Sequence, residues 1–69
     1  YKTRLQEHTQ KVYRVLPEYR LEDAFGPEHQ KVFESSVWVD GKKMGVGKGR
    51  SIKASEQAAA KQALEKLKS

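Results

Sequence analysis

The chain has 69 residues, carries 14 Lys and Arg against 9 Asp and Glu for a net charge of +5, and contains no cysteine. That length allows one small domain with a thin core, and the lack of cysteine excludes a disulfide framework or a thiolate-based metal or redox site. Two histidines without HExxH or CxxC spacing give no basis for a structural zinc, and no apolar run reaches membrane-spanning length, so a single packed core must hold a soluble domain.

At about 100° per residue, Tyr1, Leu5, Val12 and Leu16 fall close to one line, while Thr3, Gln6, Glu7 and Gln10 gather on the opposite side. This predicts an amphipathic helix from about residue 2 to 11 or somewhat beyond, which Pro17 stops because the residue before proline disfavours the helical region. His8 lies beside the apolar line and is expected to pack partly buried. Gln6 and Gln10 can donate and accept hydrogen bonds, whereas an ionised Glu7 only accepts. A carboxylate does not attract phosphates, but it can receive a hydrogen bond from a ribose 2′-hydroxyl or a base amino group, which favours RNA over DNA as the partner of such a stripe.

Next, YRLEDAF mixes aromatic and aliphatic residues in near alternation and reads as a strand ending at the Gly26–Pro27 turn, with His29 just past it on an exposed loop. In KVFESSVWVDGKKMGVGKG the alternation is clear, with Phe33, Ser35, Val37 and Val39 on one face and Val32, Glu34, Ser36 and Trp38 on the other. Asp40-Gly41 signals a hairpin, since both central residues of a type I′ turn need positive φ. A third strand follows through Met44 and Val46, with Trp38 on the open sheet face expected to cover Met44 or to dock on a neighbouring domain. Ser51 can then cap a last helix over about residues 52 to 67, whose inner face is Ser55, Ala59, Ala63, Leu64 and Leu67. Small residues at 55, 59 and 63 form a ridge that lets this helix lie close to the sheet. The pattern predicts an α+β fold in the order α-β-β-β-α.

All the excess charge sits in residues 41 to 55, where Lys42, Lys43, Lys48, Arg50 and Lys53 occur without an acid. Cations at a helix start oppose the dipole, which leaves partial positive charge there. That local penalty makes sense if phosphates arrive, because the first backbone N–H groups of a helix are unpaired and bind anions. GVGKGR lacks the third glycine of GxGxxG and the GxxxxGK[ST] spacing, so a mononucleotide loop is set aside and the glycines are read as close backbone approach.

The order TxLQExxQ at Thr3 to Gln10, PEY at 17 to 19, GPEH at 26 to 29, Phe33, and GKGRSIKxSExxAAxxAL from Gly47 resembles a double-stranded RNA-binding domain (dsRBD) over essentially the whole chain. More narrowly, with its YKTRLQE opening, it is similar to the C-terminal dsRBD of bacterial ribonuclease III. The resemblance implies a three-stranded antiparallel sheet with both helices on one face, and shape-specific binding of A-form duplex RNA. Thr3, Gln6, Glu7 and Gln10 would lie in one minor groove, and Gly26, Pro27 and His29 in the next. Lys48, Arg50, Ser51 and Lys53 would span the intervening major groove on its phosphates. The family usually has two adjacent basic residues after the serine, where this chain has Ile52 first, and alanine where it has Ser55. Weaker binding and slightly lower stability are expected from these two departures.

No nucleophile motif, no paired carboxylates and none of the acidic signature of the ribonuclease III catalytic domain occurs, so the chain is expected to bind and not cleave, with no cofactor of its own. Residues 1–69 are read as one dsRBD cut from a longer cytoplasmic endoribonuclease that processes ribosomal and messenger RNA. Its nuclease domain would lie upstream, use magnesium and form a homodimer, whereas the isolated dsRBD would be monomeric and touch no membrane. The alternative of another class is a protein-interaction or dimerisation domain of the same fold, suggested by Ile52 and Trp38.

Overall fold

The structure, a computed structural model, describes residues 1–68, with side chains through Leu67. Five main elements follow in order: α1 (Lys2–Val12), β1 (Glu18–Phe25), β2 (Val32–Val39), β3 (Lys42–Gly49) and α2 (Ile52–Lys68), with a single 3-10 turn at Glu28–Gln30 between β1 and β2. The strands form one antiparallel sheet in the order β1-β2-β3. Asp40 and Gly41 both take positive φ, 53° and 78°, as a type I′ hairpin requires.

The sheet presents its inner face to α2. Ser55, Ala59 and Ala63 are fully buried along the predicted ridge, with Leu64 nearly so and Leu67 half-buried. Facing them on β3 are Gly45, Gly47 and Gly49. A Cβ added at Gly47 would stand 2.2 Å from the Ala59 backbone nitrogen, and one at Gly45 2.5 Å from the Ala59 carbonyl oxygen. Glycine on the strand and small residues on the helix thus let two backbones approach to a distance no larger side chain permits. Ala60, outside the predicted inner face, is also buried, because α2 covers Leu5 of α1 as well as the sheet.

The apolar line predicted for α1 is only partly realised. Leu5 is buried in the core with Val37, but Tyr1, Val12 and Leu16 are 55%, 56% and 60% exposed. Helical spacing breaks down because α1 ends at Val12 and Arg14 turns left-handed at φ 60°, so Leu16 no longer belongs to the projection. Thr9 fills the second buried place on α1 instead, its hydroxyl donating to the Gln6 carbonyl. His8 is half-buried, as expected from its position.

Two bulges set which side chains share a face. Glu22 is the extra residue opposite β2, between the pairs Leu21–Ser35 and Asp23–Glu34, and Met44 is the extra residue on β3 between the pairs of Val37 and Trp38. The second bulge carries Met44 to the helical side, where it packs against the core, so Trp38 does not cover it. Arg20 stacks on Trp38 instead, 4.3 Å from the ring centroid. Trp38 Nε1–H donates to the Ser36 hydroxyl at 2.9 Å, and that hydroxyl donates to the Glu22 carboxylate. On the free edge of β3, the Val46 N–H is taken by the Gln62 side-chain oxygen at 2.7 Å, which satisfies one donor of an otherwise open strand edge.

Candidate nucleic-acid interface

The N–H groups at the start of α1 have no cap from their own sequence, because the side chain of the N-cap residue Tyr1 makes no capping hydrogen bond. Gln57 of α2 supplies it. Its Oε1 accepts from the backbone nitrogens of Tyr1 and Lys2 at 3.1 and 3.2 Å, and Lys2 Nζ pairs with Glu56 at 2.7 Å. The first turn of α1 is therefore tied to the second turn of α2, which fixes the polar stripe of one helix relative to the mouth of the other. Thr3, Gln6, Glu7 and Gln10 are all exposed along that stripe. Lys2 also sits 4.9 Å over the Tyr19 ring, whose hydroxyl is pushed up to about 12 by burial first and by the Glu56 charge second.

At the mouth of α2, Ser51 acts as the predicted N-cap, its hydroxyl oxygen accepting the Ala54 N–H at 3.0 Å. The cap bond uses a lone pair, so the Ser51 O–H remains able to donate outward. Arg50, Ser51, Ile52 and Lys53 are all exposed, and the first turn holds no acid. Glu56, the nearest carboxylate along the helix, is neutralised by Lys2.

Lys48 stands apart from this mouth. Gly47 and Gly49 face α2, so the two-residue repeat of β3 turns Lys48 to the outer sheet face, where its ammonium lies 5.6 Å from the Phe25 ring. Phe25 immediately precedes Gly26, so Lys48 lies beside the β1–β2 loop, on the outer face of the sheet. In that loop Gly26 takes φ 98°, a Cβ there would meet the Gln30 carbonyl oxygen at 2.9 Å, and the Pro27 carbonyl accepts from Gln30 N–H. Gly26, Pro27 and His29 are all exposed. Phe33 pairs with Gly49 on the neighbouring strand, which puts this loop and the start of α2 at the same end of the sheet.

The fifteen-residue basic block does not form one patch. Lys42 and Lys43 open the eight-residue β3 beside the Asp40–Gly41 turn, and the extended strand carries Arg50 about 23 Å from Lys43 and about 26 Å from Lys42. Extended backbone keeps residues that are close in sequence far apart, so only Lys48, Arg50 and Lys53 serve the α2 end. Among the described residues, no three His, Asp or Glu side chains come together as metal ligands, and no helix is long and apolar enough to cross a membrane.

Exposed hydrogen-bonding groups on one helix, a tight loop and a cationic helix mouth are thus held together by side-chain and strand pairing. The double-stranded RNA binding motif matches residues 1–67. The chain belongs to that family. Members of the motif family similar to it include the protein named ribonuclease 3 of Aliarcobacter butzleri, 53% identical over 99% of this chain and 30% of that protein. Ribonuclease 3 of Pseudothermotoga lettingae is also 53% identical, over 99% of the chain and 29% of the relative. The chain therefore spans about a third of the length of these relatives. Among solved structures, Arabidopsis HYL1 superposes with a TM-score of 0.83 at 39% identity, covering 99% of this chain and 96% of that one. A two-dsRBD stretch of DRB4 gives 0.74 at 38% identity, with 99% and 44% covered. The α-β-β-β-α arrangement of the motif is thus the one these neighbours share.

Proposed function

We propose that this dsRBD binds A-form double-stranded RNA by shape, and serves as the RNA-binding domain of a ribonuclease 3-type endoribonuclease. The observation that carries this reading is the pinning of α1 to α2 through Gln57 and Glu56, with the Gly26–His29 loop set at the α2 end of the sheet by the pairing of Phe33 with Gly49. The domain is elongated, 40 Å along its longest axis, and a domain of this family spans about 16 base pairs of A-form duplex across two successive minor grooves. Thr3, Gln6, Glu7 and Gln10 meet one minor groove, and Gly26, Pro27 and His29 the next. Lys48, Arg50, Ser51 and Lys53 hold the phosphates between. Magnesium-dependent hydrolysis and homodimerisation are assigned to residues outside this sequence, and the domain itself acts as a cytoplasmic monomer that binds and does not cleave.

Duplexes of one sequence prepared as RNA and as DNA test the reading. We expect tight, salt-sensitive binding to the RNA and much weaker binding to the DNA, because only RNA offers 2′-hydroxyls and A-form grooves. Lys53→Ala should flatten the plot of log affinity against log salt by about 0.7 to 0.9, the share of one phosphate. Equal affinity for both duplexes would sink the proposal. The protein-interaction reading gains no support from Trp38, whose sole donor is spent on Ser36 and whose ring is covered by Arg20.

A further inference from the structure

Arg14 is the first residue past the C-cap of α1, a place where the chain commonly turns left-handed and glycine is the usual occupant. Its φ is 60°, a conformation that glycine adopts freely and that strains any residue with a Cβ. The surroundings enforce the turn. Val15 N–H donates back to the Thr9 carbonyl at 3.4 Å, Pro17 denies the helix a continuation, and Tyr13 lines a small cavity with Val39 and Met44 of the hairpin. Strain that the surroundings impose on a non-glycine residue is a pointer to function.

Nothing inside the domain offsets that strain. Arg14 is exposed and joins no ion pair or hydrogen bond among the described residues, not even with Asp40, the one acid lining the cavity beside Tyr13. The helix dipole does not call for it, since Lys11 already places a cation in the last turn. Tyr13 keeps right-handed angles, φ −106° and ψ −12°, so the Arg14 Cα stays on the helical path one turn, about 6 Å, past Gln10. The stripe of Thr3, Gln6, Glu7 and Gln10 thus ends at a guanidinium. The stripe itself holds one carboxylate and no cation, so it can read hydroxyls but cannot grip the phosphates at the rim of a groove. A planar guanidinium fork matches a phosphate at two oxygens. We propose that Arg14 binds a backbone phosphate at the edge of the minor groove that α1 enters, a contact separate from the stripe, the Gly26–His29 loop and the α2 mouth. This rests on the duplex-binding reading.

The test sets stability against binding in the 69-residue chain. Arg14→Gly relieves the strained turn and should raise Tm by about 4 °C. The same variant should bind duplex RNA more weakly and flatten the plot of log affinity against log salt by about 0.7 to 0.9, one phosphate's share. A protein that becomes more stable and binds less well is the signature expected of a residue kept for its ligand. Arg14→Lys keeps the charge and should keep the slope, with Tm unchanged. Lys43→Ala removes the same charge at the position paired with Trp38, away from the α1 stripe, and should leave the slope as it is. A lower Tm in Arg14→Gly would show that the arginine serves the fold, and an unchanged slope would show that it meets no phosphate. Equal flattening in Lys43→Ala would show that the slope reads net charge alone. Each of these three results overturns the proposal while the duplex reading stands. Failure of the unaltered chain to bind duplex RNA overturns that reading and this contact together.

Discussion

Ser35 on β2 and Ser55 on α2 are both fully buried, with their hydroxyl oxygens 2.6 Å apart. Ser55 donates to the Ile52 carbonyl at 2.7 Å, so the proton between the two serines belongs to Ser35. The chain of donation runs from Ser35 to Ser55 to Ile52, and its two links are unequal under mutation. Ser55→Ala strands the Ser35 hydroxyl in a dry interior without an acceptor, which should cost about 2 kcal/mol. Ser35→Ala leaves Ser55 donating to Ile52 and removes one hydrogen bond, at about 1 kcal/mol. The double alanine variant buries no hydroxyl, so it should lie well above the sum of the two, with a coupling of about 1 kcal/mol or more. Urea unfolding followed by circular dichroism measures all four corners of the cycle. Each kcal/mol should move Tm by about 4–8 °C in a domain of this size. Additive single and double effects, or a larger loss for Ser35→Ala than for Ser55→Ala, would refute the assigned direction of donation. The slight instability expected from a serine in place of alanine is therefore offset by a partner that only the folded chain provides.

The close approach at β3 predicts that Gly47→Ala forces α2 off the sheet, because ordinary carbon contacts lie near 3.5–4.0 Å and the added Cβ would face backbone at 2.2 Å. A loss of about 3 kcal/mol or more should follow, seen as collapsed amide dispersion in NMR, while Gly41→Asn, with nothing within 4 Å of its Cβ, should leave the spectrum folded. The Tyr19 hydroxyl is buried without a hydrogen-bond partner among the described residues, so Tyr19→Phe should raise stability by up to about 1 kcal/mol at neutral pH. Since its folded value is raised from 10.0 to about 12, the unfolded chain ionises first. Stability that is intact below pH 10.0 should therefore fall as pH rises toward 12, and Tyr19→Phe should remove that part of the alkaline slope in a pH series of unfolding curves. Ile52→Lys should restore a second cation beside Lys53, tighten duplex RNA binding and steepen its salt slope by about 0.7 to 0.9 in fluorescence titrations.

Much of the fold was legible along the chain because its signals act over a few residues. Alternation in β2, positive φ at Asp40-Gly41, the Ser51 cap and the small ridge of α2 each follow from backbone geometry within one or two turns. All the residues proposed to meet RNA proved exposed, and the family pattern named them in order. Periodicity failed where the regular element stopped or slipped. Leu16 fell out of line once α1 ended, and the bulge at Met44 gave Trp38 a different neighbour. The basic block divided because an extended strand runs through it. The Gln57 cap on α1, the Ser35–Ser55 pair and the Gln62 clasp on the β3 edge join residues far apart in sequence. No local rule carries those contacts, since each depends on which backbones the packed core brings within hydrogen-bond reach.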